Sequence, residues 1–299
     1  MGTLVIGAGE LGMAILQAIS LHPHHDSKKL AVLLRTEAIT SHDTSRKENV
    51  RKIKSMGVEI EVGDVVSYSL EELAEIFSGY DTIICCSGMG LPSGTQIKLC
   101  GAVVRARTPR YIPWQFGLDY DRIGYGSSQD LFDEQLHVRE ALRAQTTTTW
   151  TIVSAGLFMS FLFLPEFGIV DLENGVVHAL GSWENRVTVT GPKDIATMTA
   201  EVVCNAEDTA DRVVYIAGDT ISYGQLAELL EARFQKEFVK KLWDIPTLHR
   251  QLATDPGNGM IKYRNVFADG RGVAWDKAET LNVKRSIPLT DLNSYLDKL

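Results

Sequence analysis

Gly7-Ala8-Gly9-Glu10-Leu11-Gly12 has the spacing of a loop that holds a dinucleotide pyrophosphate. The first glycine permits a tight strand-to-helix turn. The second lets the backbone approach the phosphates, and the third lets helix and strand pack closely. Glu10 and Leu11 open the helix, whose free N–H groups and positive dipole end face the anion. Arg35, followed by Thr36, ends the next apolar run. NAD sites usually carry Asp or Glu there for the ribose 2′-hydroxyl, whereas a guanidinium grips the 2′-phosphate of NADP. Glu37 keeps NAD as the lesser option. Asp64, after Gly63, either meets the adenine end or caps a helix. Ser87-Gly88-Met89-Gly90 closes a later strand with small residues that let a dinucleotide pass, and Met89 is a candidate substrate contact.

Proton transfer is harder to place. None of the nine tyrosines has a lysine four residues later, so the Tyr-x-x-x-Lys acid–base pair of short-chain dehydrogenases is absent. Tyr120 and Tyr125 can face a substrate or pack within a loop. Phe158 and Met159 begin the run Leu157 to Leu164, which reads either as an apolar substrate wall or as core. His22-Pro23-His24-His25-Asp26 offers only local ligands interrupted by a proline, and no metal site is assigned. Cys85, Cys86, Cys100 and Cys204 form no CxxC pair and read as reduced thiols of a cytoplasmic protein.

These residues sit at the ends of regular elements. Apolar runs at Thr3–Ile6, Leu30–Leu34, Val58–Val62, Asp81–Cys86, Arg110–Pro113 and Thr149–Ser154 alternate with helical patterns at Glu10–Ser20, Ser45–Met56, Leu70–Phe77, Thr95–Ala106 and Gln129–Ala144. That order predicts an α/β fold with a doubly wound parallel sheet, a Rossmann domain over residues 1–155. Residues 156–299 mix short strands (Val176–Leu180, Arg186–Thr190, Val213–Ile216) with helices (Pro192–Cys204, Tyr223–Phe234). They read as a smaller α+β substrate lobe, and some of its elements are open to returning to the sheet.

Of the 299 residues, 44% are apolar and 23% charged, which supports a packed core. A net charge of −8 without a basic stripe excludes a dedicated nucleic-acid binder. The basic stretch Arg46 to Lys54 reads as a solvated helix face. No apolar run reaches the roughly 18 residues of a membrane span, so no membrane partner is expected. The oligomeric state is not assigned.

Arg110-Tyr111-Ile112-Pro113-Trp114-Gln115-Phe116-Gly117-Leu118-Asp119 resembles the R-F-(I/L)-P-S-E-F-G-x-D signature of NmrA-like and isoflavone-reductase-like proteins, which are atypical short-chain dehydrogenases. The glycine loop, Arg35, Gly63-Asp64 and Ser154 to Phe158 fall in the family's order, and the style is closest to fungal members that tailor secondary metabolites. The resemblance implies an NADP cofactor, with Trp114, Gln115 and Phe116 near the nicotinamide. It also implies a catalytic lysine on the following helix, but Gln135 stands at that position. Glutamine donates and accepts hydrogen bonds and exchanges no proton at neutral pH. Trp114-Gln115 likewise replaces the signature's Ser-Glu. Gln135 shares an apolar stripe with Leu131, Val138 and Leu142, so its amide needs a partner, either a ligand or a backbone carbonyl. Gln135 and Tyr120 are the catalytic candidates. Three functions fit: an NADP(H)-dependent oxidoreductase of an apolar or aromatic small molecule, a redox-coupled or non-redox cyclase, and a non-enzymatic NADP-sensing regulator.

Overall fold

The computed structural model describes residues 2–24 and 29–298. The first elements are β1 (Thr3–Ile6), α1 (Glu10–Ser20), β2 (Leu30–Leu34), α2 (Thr36–Ile39), α3 (Thr44–Ser55), β3 (Glu59–Val62), α4 (Leu70–Phe77) and β4 (Thr82–Cys85). Next come α5 (Thr95–Arg105), β5 (Arg110–Ile112), α6 (Tyr120–Ile123), α7 (Leu131–Arg143), β6 (Thr149–Ser154), β7 (Leu157–Phe158), β8 (Val170–Asp171), β9 (Val176–Leu180) and β10 (Arg186–Thr190). The chain ends with α8 (Pro192–Cys204), β11 (Arg212–Tyr215), β12 (Asp219–Ser222), α9 (Tyr223–Phe234), β13 (Val239–Trp243), α10 (Ile245–Thr254), α11 (Gly259–Asp269), α12 (Leu281–Lys284) and α13 (Leu292–Leu296).

Two compact units form. Unit 1 comprises Met1–Gln115, His137–Val153 and Ile195–Val214; unit 2 comprises Phe116–Leu136, Ser154–Asp194 and Tyr215–Leu299. Unit 1 holds a seven-stranded sheet in the order β11-β6-β5-β4-β1-β2-β3. The pairs β1–β2, β1–β4, β2–β3, β4–β5 and β5–β6 are parallel. Because strand side chains alternate, Leu4 and Ile6 pack with Leu73 and Phe77 of α4 and Leu99 of α5. Val5 and Val32 point the other way and are also buried, as are Ile15, Leu16 and Ile19 of α1. Both faces of the sheet are therefore covered, as in a doubly wound Rossmann fold.

Local chemistry sets the boundaries. Ser69 and Glu72 form a capping box at the start of α4: the Ser69 hydroxyl accepts from the Glu72 N–H and the Glu72 carboxylate from the Ser69 N–H. The strand expected from Val58 begins at Glu59, because the Val58 N–H is taken by the Ile53 carbonyl at the end of α3. α7 begins at Leu131 rather than Gln129, since the Gln129 and Asp130 carbonyls accept from Phe132 and Asp133 in an entry turn. The strand expected at Val213–Ile216 spans Arg212–Tyr215 and is an edge of the seven-stranded sheet.

Unit 2 contains two three-stranded sheets, β12-β10-β7 and β13-β9-β8, each with one parallel and one antiparallel pairing. Its core gathers Met159, Leu162, Phe167, Val177, Val187, Leu226, Leu230 and Phe267. Among the described residues, no helix is long and apolar enough to cross a membrane.

Candidate functional site

The glycine loop separates two kinds of demand. Gly7 has φ +92°, and a Cβ there would lie 1.9 Å from the Ser87 hydroxyl oxygen. A Cβ on Gly12 would lie 2.2 Å from the Gly7 carbonyl oxygen. Both positions are glycine because the fold requires it. Gly9 differs: its φ is −72°, and a Cβ there would meet nothing within 4 Å. Gly9 is the N-cap of α1, no side chain caps the helix, and Gly9 opens onto a cleft. The first-turn N–H groups are thus free of a side-chain acceptor, and the neighbouring backbone is accessible to a phosphate. Glu10 is exposed, while Leu11 is buried and anchors the turn.

The cleft holds about 390 Å³. It runs from Gly7–Gly9 across the ends of β2 and β3 to Ser87 and Leu91, and α3 closes one side. Arg35 is exposed at its rim, as the N-cap of α2, and Thr36 follows it, exposed, on α2. Arg46 lines the same cleft. Sequence reasoning had placed Arg46 on a solvated helix face. Lys52 pairs with Glu48 at 2.9 Å on that face, and Arg46 is exposed on it as well as lining the cleft. Arg46 sits three residues after the N-cap Asp43, whose carboxylate accepts from the Arg46 N–H. Val50, Ile53 and Val65 add apolar wall.

Asp64 also lines the cleft, with its carboxylate turned onto the Val66 N–H at 2.9 Å. Burial pushes its pKa up. The Val66 N–H, the Ser67 hydroxyl and N–H and the Arg35 charge outweigh that effect and hold it below the usual carboxylate value. An uncapped helix start and a glycine demanded by no neighbour fit a dinucleotide, and the two arginines bring positive charge to the cleft.

The signature segment divides between the units. In unit 1 Arg110 is structural: its guanidinium donates to the Val202 and Val203 carbonyls at 2.6 and 3.0 Å, satisfying the end of α8. Trp114 lies against Gly88, and Gln115 is buried and accepts from Arg139 at 2.7 Å. Arg139, on α7, is fully buried, and the sequence reading did not single it out. Met89, a candidate substrate contact, is 56% exposed.

In unit 2, Phe116 is buried and the Gly117 carbonyl accepts from the Ala155 and Gly156 N–H groups. A Cβ on Gly117 would lie 2.6 Å from the Tyr120 hydroxyl, so that phenol stands directly over the signature glycine. Tyr120 packs on Phe132 at 4.7 Å between centroids, and Phe132 on Tyr263 at 5.6 Å. Gln135, one turn beyond Phe132, is 1% exposed and lies on the buried stripe of α7 that its spacing indicates. Phe158 is half-buried. Met159 is fully buried under Gly218 and belongs to the core of unit 2.

The histidine run carries structural bonds: His22 meets Glu201 at 3.1 Å and His24 meets Asn205 at 3.0 Å. His25 and Asp26 lie outside the described residues. Among the described residues no three His, Cys, Asp or Glu side chains group as metal ligands.

Residues 3–292 match the NmrA-like family. An NmrA-like family domain-containing oxidoreductase of Gibberella moniliformis is 51% identical over 294 residues, spanning 98% of this chain and 96% of that protein. Among solved structures, an isoflavone reductase superposes with TM-score 0.82 at 20% identity, covering 99% of this chain and 98% of that one. A leucoanthocyanidin reductase of Vitis vinifera in binary complex with NADPH superposes with TM-score 0.75 at 15% identity, covering 92% of this chain and 90% of that one.

Proposed function

The chain belongs to the NmrA-like family, and from that premise we propose that it is an NADP(H)-dependent oxidoreductase of an apolar or aromatic small molecule, serving secondary-metabolite biosynthesis in the cytoplasm. The carrying observation is the cleft that opens from Gly9 and carries both Arg35 and Arg46. The 51%-identical relative named as an oxidoreductase supports the reaction class. NADPH in the leucoanthocyanidin reductase complex supports the cofactor.

In this reading the Gly7–Gly12 backbone and the N-terminus of α1 hold the pyrophosphate. Arg35, Thr36 and Arg46 hold the 2′-phosphate, Ser87 and Gly88 border the path of the dinucleotide, and Trp114, Gln115 and Phe116 lie toward its nicotinamide. When bound, the nicotinamide supplies or accepts hydride. Gln135 orients rather than protonates, because its amide exchanges no proton. Tyr120 carries the proton-bearing group over the signature backbone and is the general-acid candidate. Met89 and Phe158 are the substrate-contact candidates.

Gln135 in the place of the family's lysine also favours a second reading, ring formation coupled to or replacing redox turnover. Binding titrations with NADPH and NADH test the cofactor assignment: NADPH should bind at least about tenfold tighter, as one charged hydrogen bond implies, and equal affinity would remove it. Product analysis of aromatic carbonyl and quinone substrates, with and without NADPH, then separates redox turnover from cyclisation. Retained NADPH binding without any product would instead indicate a sensor.

A further inference from the structure

The cleft described above accounts for only one half of a dinucleotide. Its walls are the ends of β1, β2 and β3, with Ser87 and Leu91 as the limits on the β4 side. β1 lies between β2 and β4. In such sheets a dinucleotide crosses the carboxyl ends of the strands at that switch point, one half on each side. With the two arginines on the β2–β3 side, the nicotinamide half belongs over the ends of β4 and β5.

Two residues meet there. Gly88 follows β4 by three residues and Trp114 follows β5 by two. A Cβ on Gly88 would lie 1.9 Å from Cδ2 and 2.0 Å from Cε3 of Trp114, so the six-membered ring of the indole rests on the Gly88 backbone. Gly88 is not among the positive-φ glycines, and the indole atoms are the nearest obstacles to a side chain. Its glycine therefore answers to Trp114. On either side of Gly88, Ser87 and Leu91 line the cleft. Trp114 is only partly buried, which leaves part of the ring system uncovered. The resembling signature has serine at this position, so a broad aromatic surface stands where a small hydroxyl is expected.

We propose that Trp114 is a positioning residue for the nicotinamide ring, and that the indole seated on Gly88 forms the flat wall against which that ring lies. The inference rests on the dinucleotide reading above. Aromatic surface against a planar ring holds it by offset or edge contact. A wall that fixes the ring's orientation also fixes which face is presented to a substrate.

Binding measurements separate this role from general packing. Adenosine 2′,5′-bisphosphate carries the adenosine half alone, and NADPH carries both halves. Trp114→Ser should weaken NADPH binding roughly three- to tenfold and leave the bisphosphate within about twofold, inside the scatter of a single contact. Trp114→Phe keeps a ring on Gly88 and protects the fold. It should retain most of the NADPH affinity that Trp114→Ser loses. Gly88→Ala, which forces the indole off its seat, should reproduce the selective loss of NADPH affinity. Equal weakening of both ligands in Trp114→Ser, or a Trp114→Phe that binds NADPH as weakly as Trp114→Ser, overturns the inference while the cofactor reading stands. Failure of the wild-type protein to bind either ligand overturns both.

Discussion

Arg139 on α7 is fully buried and donates through Nε to the Oε1 of Gln115 at 2.7 Å. A buried guanidinium depends on its acceptors, because an unmet charged donor bears the full cost of desolvation. Gln115→Ala should therefore destabilise the protein by about 1.5–3 kcal/mol, read from the denaturant midpoint at constant slope. Gln115→Glu keeps an acceptor in place and should lose less. If the alanine variant unfolds at the wild-type midpoint, the bond contributes nothing to stability.

The glycine loop makes opposite predictions for two of its members. Gly12→Ala places a Cβ 2.2 Å from the Gly7 carbonyl oxygen, so it should cost about 1–3 kcal/mol of stability through overpacking. Gly9→Ala meets no neighbour and should stay within about 1 kcal/mol of wild type. NADPH affinity should nevertheless fall by on the order of tenfold in Gly9→Ala, because the methyl group intrudes on the phosphate path. Thermal melts paired with NADPH titrations read both quantities. Wild-type affinity in Gly9→Ala would dissociate the loop from the cofactor.

Arg35→Ala and Arg46→Ala should each weaken NADPH binding by about ten- to a hundredfold, the equivalent of one lost charged hydrogen bond. NADH binding should hardly change, since it lacks the 2′-phosphate. Raising the ionic strength should erode the NADPH preference of the wild type more than that of either variant, because exposed charges are screened. Equal losses for the two cofactors would take both arginines off the 2′-phosphate.

Gln135→Lys introduces the lysine that the family resemblance implies on α7, at a position that is 1% exposed. Burial disfavours the ammonium form, so the introduced lysine's folded-state pKa falls below its unfolded value. Between those two values the unfolded chain binds more protons, and stability rises with pH. The variant's deficit in melting temperature against wild type should accordingly shrink as pH climbs toward the ordinary lysine value. Gln135→Met should show no such slope. A pH-independent deficit would mean that position 135 becomes solvated when charged.

Burial pushes the Cys85 and Cys100 thiols up to about 12. Iodoacetamide at mildly alkaline pH should spare both in the native protein and alkylate both in denaturant, as mass spectrometry would read directly. The native thiols hold their protons more tightly than the unfolded ones. Their contribution to stability is therefore complete below the ordinary thiol value and is lost as pH rises toward about 12. Rapid native alkylation of Cys85 would contradict its burial.

The first six strands and the glycine loop were legible because their signals are local. Most of these strands are short buried apolar runs, and the loop's glycines recur at a fixed spacing within six residues. Arg35 was legible by its place at a strand end. The place of Arg46 at the same cleft was not, since it depends on how α3 lies against β2. Nothing in the sequence singles out Arg139, and its bond to the buried Gln115 emerges only from the fold. β7 and β8 have two residues each, too few to carry a period. Met159 and Phe158 are adjacent in sequence, and only packing tells core from surface.

The guanidinium of Arg110 is held by Val202 and Val203, and the edge strand β11 ends at Tyr215. A ribosome delivers the other six strands of the seven-stranded sheet long before these partners emerge. Until then Arg110 has no helix end to satisfy and β6 has no outer neighbour. The nascent sheet waits, with one side unpaired, through the synthesis of about sixty further residues, a few seconds at ordinary elongation rates. Through that interval the outer side of β6 is an open strand edge, the kind that invites wrong pairing.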